Sequence, residues 1–274
     1  MVGNMNHDSS NIVHPSAVIE AGAKIGKRCK IGPFCVLGSN VELEDEVELF
    51  SHVCVSGLTS IGAGTRIWPF ASIGNQPQDL KYNGEKTRLE IGKNNLIRES
   101  VSISPGTKGG GGLTKIGDNC LFMLSSHVGH DCVIGNNVIV ANNSAIAGHV
   151  VIEDNVNIGG LVGVHQFCRI GEGSIIGAHS MVSKDVIPFS LIVGQRASLA
   201  GVNLIGLKRR GHKKENLQKL QKLFTQLFNK EKKENFLERV NLLHNDPTNN
   251  CSEILKVLSF IKSDSVRSFV TPVE

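Results

Sequence analysis

Residues 125–150 read SSHVGHDCVIGNNVIVANNSAIAGHV. An apolar residue falls at every sixth position, at Val128, Ile134, Val140 and Ile146. Four places after each comes a small or β-branched residue: Cys132, Val138, Ser144 and Val150. A strict period of six fits neither the 3.6-residue turn of a helix nor the two-residue alternation of a strand. It fits a short strand plus a turn, the repeating unit of a parallel β-helix.

The period extends in both directions. It continues through Ile152, Ile158, Val164, Ile170 and Ile176 to Val182, and runs back through Phe122 to Ile116. After a one-residue phase shift it resumes at Ile103, Ile97 and Ile91, and then from Ile73 to Val13. Three units make one coil of a triangular prism, with equivalent side chains stacked at about 4.8 Å. The large apolar residue fills the prism and the small one lets the chain bend. Cys29, Cys35, Cys120, Cys132 and Cys168 occupy the small position, which makes them packing residues rather than redox or metal groups. Glycine after the apolar residue, as in Ile25-Gly26 and Ile134-Gly135, fits unusual turn dihedrals.

Two segments break the repeat, 75–90 (NQPQDLKYNGEKTRLE) and 104–115 (SPGTKGGGGLTK), and read as loops projecting from the prism. Beyond about residue 190 the spacing turns helical. Leu217, Leu220, Leu223, Phe224, Leu227 and Phe228 form one stripe, Phe236, Leu237, Val240 and Leu243 a second, and Ile254, Leu255, Leu258 and Ile261 a third. The expected fold is an all-β solenoid over residues 1–190 with an α-helical region over 191–274.

The bulk composition sets limits on function. Across 274 residues the formal charge is +4, which suits a local basic patch better than nucleic-acid binding over the whole surface. No segment approaches the apolar length needed to cross a bilayer, and residues 1–10 are too polar for a signal peptide. The expected location is the cytoplasm, with the seven cysteines reduced.

Repeat arithmetic also places the histidines. With Val128, Ile146 and Val164 as equivalent positions, His127, His130, His149 and His165 fall near one edge of the prism on adjacent coils. Such a cluster can be hydrogen-bonded turn residues, a zinc site or a catalytic base. Asp131 follows His130, and the two can interact only if they sit at a turn.

The segment quoted above, VHQFC at 164–168, QDLKY at 78–82 and GVNLIGLKRRG at 201–211 together resemble the UDP-N-acetylglucosamine acyltransferases of lipid A biosynthesis. The likeness runs from about residue 12 to 212. It implies a left-handed β-helix, against the usual right-handed crossover. It also implies a homotrimer with sites between subunits, and transfer of a 3-hydroxyacyl group from acyl carrier protein to the glucosamine 3-hydroxyl of UDP-N-acetylglucosamine. By the same resemblance His130 is the general base, with Asp131 beside it, and the Gly148 N–H stabilises the oxyanion. Gln78, Asp79, Lys81, His127, His149, His165 and Gln166 match substrate-contacting positions. Asn203, Arg209 and Arg210 match residues near the nucleotide or phosphopantetheine, and Ala178 stands at the end of the acyl groove. No metal and no cofactor is expected beyond the 4'-phosphopantetheine arm of the carrier protein.

Ile205 stands where the family commonly has glutamate, so a 3-amino sugar acceptor is an alternative. The basic run Lys208, Arg209, Arg210, Lys213 and Lys214 suits docking of the acidic carrier protein. Other readings are a carbonic-anhydrase-like metalloenzyme using the four histidines, a sister N-acyltransferase and a non-catalytic scaffold. The N-acyltransferase would need an extra N-terminal domain, for which a repeat starting at Val13 leaves no room.

Overall fold

A computed structural model describes residues 10–229 and 234–273. Two-residue strands recur at the predicted spacing, each paired in parallel with its equivalent one coil on. His127–Val128, for example, pairs with Ala145–Ile146, which pairs with Gly163–Val164. Among the described residues the strands form three sheets, the faces of a left-handed parallel β-helix, with 11, 9 and 8 strands. The periodic apolar residues point inward, and those from Ile31 to Val182 are buried. The corner cysteines Cys29, Cys35, Cys120, Cys132 and Cys168 are also buried, as their small size required.

The corners turn differently from the expectation based on glycine. Gly26 and Gly135 are not in the left-handed region; that conformation falls two residues later, on non-glycine residues such as Arg28 (φ 56°) and Asn137 (φ 57°). The glycines are needed for room. A Cβ on Gly26 would lie 2.6 Å from the Glu44 carbonyl carbon, and one on Gly135 would lie 2.3 Å from Asp154 Oδ1. A left-handed non-glycine residue costs about 1–2 kcal/mol. Stacking offsets this, because its N–H donates to the neighbouring coil, as in Asn137 N–H to Asp118 O at 2.9 Å.

Both loops are shorter than expected. Arg88–Ile91 and Leu113–Ile116 are strands paired with each other, the first also with Leu58–Ile61 and the second with Val133–Ile134, so residues 88–90 and 113–115 belong to the prism. The phase shift between Ile103 and Ile116 is absorbed in the glycine-rich loop while the sheet register is kept.

Beyond the last coil an antiparallel hairpin, Ser190–Val193 with Ser198–Val202, continues the largest sheet. Four helices follow: α1 (Leu204–Arg209), α2 (Lys214–Leu227), α3 (Phe236–Asn245) and α4 (Ser252–Lys262). The three apolar stripes read from sequence correspond to α2, α3 and α4; the short α1 and the hairpin were not anticipated. Among the described residues no helix is long and apolar enough to cross a membrane.

The chain then returns to the prism at Asp185, which is fully buried. Its carboxylate accepts from Arg169 N at 2.9 Å, Arg169 Nε at 2.7 Å and Ser265 Oγ at 2.7 Å. Its backbone pairs with the segment around Ser268 and Val270.

Candidate active site

His130 and Asp131 occupy a corner turn, and Asp131 is one of the left-handed residues (φ 59°). The turn lifts the rule that neighbouring strand side chains diverge, so the two side chains meet. His130 Nδ1 lies 2.7 Å from Asp131 Oδ2. The Asp131 side chain is 1% exposed. A carboxylate this deep needs donors, and the glycine-rich loop supplies them: Thr107 N–H donates to Oδ1 at 2.8 Å and Thr107 Oγ1 to Oδ2 at 2.6 Å. Asp131 N–H donates to Thr114 Oγ1 at 2.8 Å. Gly110 must be glycine for the loop to close this tightly, because a Cβ there would lie 2.0 Å from Asp131 Cγ.

Gly148 is the residue equivalent to His130 on the next coil. A Cβ on it would lie 2.6 Å from His130 Cε1 and 2.7 Å from Nε2, so the imidazole rests where a side chain would be. Among the described residues the Gly148 N–H has no hydrogen-bond acceptor. The Nε2 edge of His130 therefore packs directly against Gly148, whose backbone donor is unclaimed.

His149 sits edge-on to His130 with centroids 4.9 Å apart and stacks on Phe167 at 4.4 Å and 6°. Burial pushes its pKa down; Asp131 opposes that shift and the neighbouring His130 adds to it. His127 Nδ1 is 2.7 Å from Ser102 Oγ. Its pKa is also depressed, by burial first and then by His130. Both rings are thereby favoured as neutral groups.

A groove of about 410 Å³ runs along this face, lined by Gln78, His127, His130, Gly148, His165 and Gln166 among others. Its floor descends the sheet through Ala145 and Gly163 to Met181, successive partners on three coils. Asp79 and Lys81, in the first loop, lie within electrostatic range of His149.

The remaining expected residues stand elsewhere in a single chain. Ala178 is exposed at a turn outside the groove lining. Asn203 caps α1, accepting from Gly206 N at 3.1 Å and donating to Gly173 O at 2.9 Å. Arg210 donates to the same Gly173 carbonyl at 3.3 Å, while Arg209 is exposed. Ile205 is 68% exposed.

Sequence reasoning missed Thr107, Thr114, Ser102, Phe167 and Arg267. Thr107 lies in a loop whose closure the repeat does not dictate, and Thr114 stands on the prism strand that follows that loop. Phe167 was recoverable, since it sits one coil after His149 at the same left-handed corner position.

The four-histidine metal reading loses its geometry. Among the described residues only His130, Asp131 and His149 bring candidate ligand atoms within 4.8 Å of one another. His127 is turned to Ser102 and His165 to Arg267. Asp131 Oδ2, the oxygen that faces both histidines, already meets Thr107 Oγ1 and His130 Nδ1, so a cation there would compete with these contacts.

Comparison with known proteins agrees with the fold. Residues 185–270 match the family described as Udp N-acetylglucosamine O-acyltransferase, Domain 2, and residues 113–148 and 149–184 match bacterial transferase hexapeptide repeats. The acyl-[acyl-carrier-protein]–UDP-N-acetylglucosamine O-acyltransferase of Rhizobium johnstonii is 43% identical over 260 residues, covering 95% of this chain and 94% of its own. The Paracoccus denitrificans enzyme of the same name is 52% identical over 206 residues, covering 75% and 77%. The crystal structure of the Bacteroides fragilis UDP-N-acetylglucosamine acyltransferase superimposes with a TM-score of 0.89 at 34% identity, covering 94% of this chain and 100% of that one. The chain therefore belongs to the acyl-[acyl-carrier-protein]–UDP-N-acetylglucosamine O-acyltransferase family and is an acyltransferase of lipid A biosynthesis.

Proposed function

We propose that this enzyme transfers a 3-hydroxyacyl group from acyl carrier protein to the glucosamine 3-hydroxyl of UDP-N-acetylglucosamine, with His130 as general base. The observation that carries the reading is the packing of the His130 Nε2 edge against Gly148, whose N–H has no acceptor among the described residues, with Nδ1 tied to Asp131. With Nδ1–H donated to the carboxylate, Nε2 is left bare to take the proton of the attacking hydroxyl. Asp131 then stabilises the imidazolium, while its own charge is held by Thr107. As the hydroxyl oxygen bonds to the thioester carbonyl carbon, negative charge develops on the carbonyl oxygen. The Gly148 N–H is a preorganised donor for it, a kind of contact worth about 2.7–4 kcal/mol elsewhere. Collapse expels the pantetheine thiolate, which the protonated His130 can neutralise.

No acyl-cysteine is needed, and burial pushes the Cys132 thiol up to about 12. The reading calls for no resident cofactor, since the pantetheine arm arrives on the carrier protein. All seven cysteines are free thiols, which suits the reducing cytoplasm. The substrate assignment follows the relatives' names.

We place the complete site in a homotrimer. In one chain Asn203, Arg209 and Ala178 stand away from the histidine groove, while Leu161, Phe167 and Met181 are exposed apolar groups. A neighbouring copy would cover the apolar side chains and supply the missing contacts.

The test is acyl transfer from 3-hydroxyacyl carrier proteins to UDP-N-acetylglucosamine and to its 3-amino analogue, by wild type and His130→Ala. A loss of about a hundredfold or more in the variant is expected. Robust transfer by the variant removes His130 as base. Preference for the amino acceptor would assign the amide-forming reaction, for which the absence of a carboxylate at Ile205 speaks.

A further inference from the structure

The last segment of the chain reaches back to the groove through Arg267. Ser265 Oγ holds Asp185 Oδ2 at 2.7 Å, and Val270 N–H donates to Asp185 O at 2.8 Å. Arg267 lies between these two anchors, so its backbone is fixed on both sides. Its Nη2 is 2.8 Å from His165 Nδ1 and 2.9 Å from Gln166 O. His165 and Gln166 both line the groove.

The donor inventory sets the consequence. A guanidinium has only donors, so His165 Nδ1 must accept. The competing contact from His165 Nδ1 to Gln166 O is longer, at 3.3 Å, and would need a proton on Nδ1. Arg267 at 2.8 Å decides the contest. The ring N–H of His165 is then on Nε2, the nitrogen farther from the arginine. Arg267 also pins the carbonyl of the turn that carries Gln166. Its own Nε–H is buried without an acceptor among the described residues. The residue as a whole is only half-buried, so the shielded Nε–H marks how closely its stem lies against the prism.

We propose that Arg267 is a positioning residue of the active site: it fixes His165 in the Nε2–H tautomer and sets the 165–166 turn. His165 is thereby presented as a donor to a substrate oxygen, and the C-terminal segment becomes part of the binding groove. The kinetic part of this proposal rests on the acyltransferase reading above; the tautomer part does not.

Two measurements test it. Nitrogen-15 spectra of histidine-labelled protein, assigned with His165→Ala, are expected to show the Nε2–H form in wild type. A mixture is expected in Arg267→Ala, with partial return in Arg267→Lys. In acyl transfer, Arg267→Ala is expected to raise substrate KM about tenfold, the usual scale for one charged hydrogen bond, with a smaller change in kcat. In a His165→Ala background the same substitution should cost less, leaving only the share carried through the Gln166 carbonyl. An unchanged His165 tautomer in Arg267→Ala overturns the proposal. So does an equal KM penalty in both backgrounds, which would mark Arg267 as a general structural support. Failure of wild type to transfer acyl groups would sink the functional reading while leaving the tautomer test standing.

Discussion

Exchanging Asp131 for asparagine keeps the shape of the side chain and should disable His130 by reversing one hydrogen bond. Asp131 Oδ1 accepts the Thr107 N–H at 2.8 Å, a backbone donor that cannot rotate away. An asparagine must give its carbonyl oxygen to that donor, which turns its NH₂ towards His130 Nδ1, 2.7 Å away. Thr107 Oγ1, the other neighbour at 2.6 Å, is a hydroxyl rotor and can accept instead of donating. His130 has one way to comply: Nδ1 accepts and the ring proton moves to Nε2. The nitrogen that should receive the substrate proton is then already protonated. Loss of a general base costs about 10²–10⁴ in rate. The same exchange in the serine-protease histidine–aspartate pair costs about 10⁴ through the wrong tautomer. The expected result is therefore the upper part of that range in single-turnover acyl transfer, with an unchanged melting temperature. Nitrogen-15 shifts of His130 should report the switch directly. Activity within about tenfold of wild type, or a loss with the tautomer unchanged, would refute the chain of reasoning.

Gly148→Ala should place a Cβ 2.6–2.7 Å from the His130 ring, forcing a retreat of roughly 1 Å and a kcat loss of about a hundredfold. Gly160→Ala, outside the groove lining and with a Cβ that would meet nothing closer than Asn142 O at 3.5 Å, is the control and should change kcat little. Burial raises the thiols of Cys120 and Cys168 to about 11 and that of Cys132 to about 12, so none of the three should react with a thiol reagent until the protein is unfolded. His127 and His149 have folded pKa values below their unfolded ones, so the unfolded chain takes up protons first. Stability in urea should fall as pH drops through about 6.5, and an increase over that window would contradict the burial of these rings. Lys213 and Lys214 are exposed at the start of α2. Neutralising both should raise KM for the acyl carrier protein, more at low salt, and an unchanged KM would remove them as docking residues.

The prism was legible because each six-residue unit is a local rule repeated many times. Ile31, Ile67, Ile134 and Ile170 are buried in one role, and no one of them had to be interpreted alone. The same arithmetic brought His127, His130, His149 and His165 to one edge. It also showed that Asp131 could help His130 only at a turn, without saying that the turn was there. It misread Gly26 and Gly135, because steric room between coils is a distance across eighteen or so residues, whereas the left-handed torsion falls on Arg28 and Asn137.

Sequence alone, then, determined the repeat, the inward side of the six-residue units, the coils on which His127, His130, His149 and His165 sit and the three long helices. These follow from periodicities that a local segment states by itself. The tertiary structure decided which nitrogen of His130 is tied and which is bare, that Thr107 closes on Asp131, and that Arg267 meets His165 from 102 residues away. Those contacts depend on where a loop closes and where a terminal segment returns. No period encodes either of them. They are fixed by the burial of charged groups, such as the carboxylates of Asp131 and Asp185, that must find donors wherever the folded chain provides them.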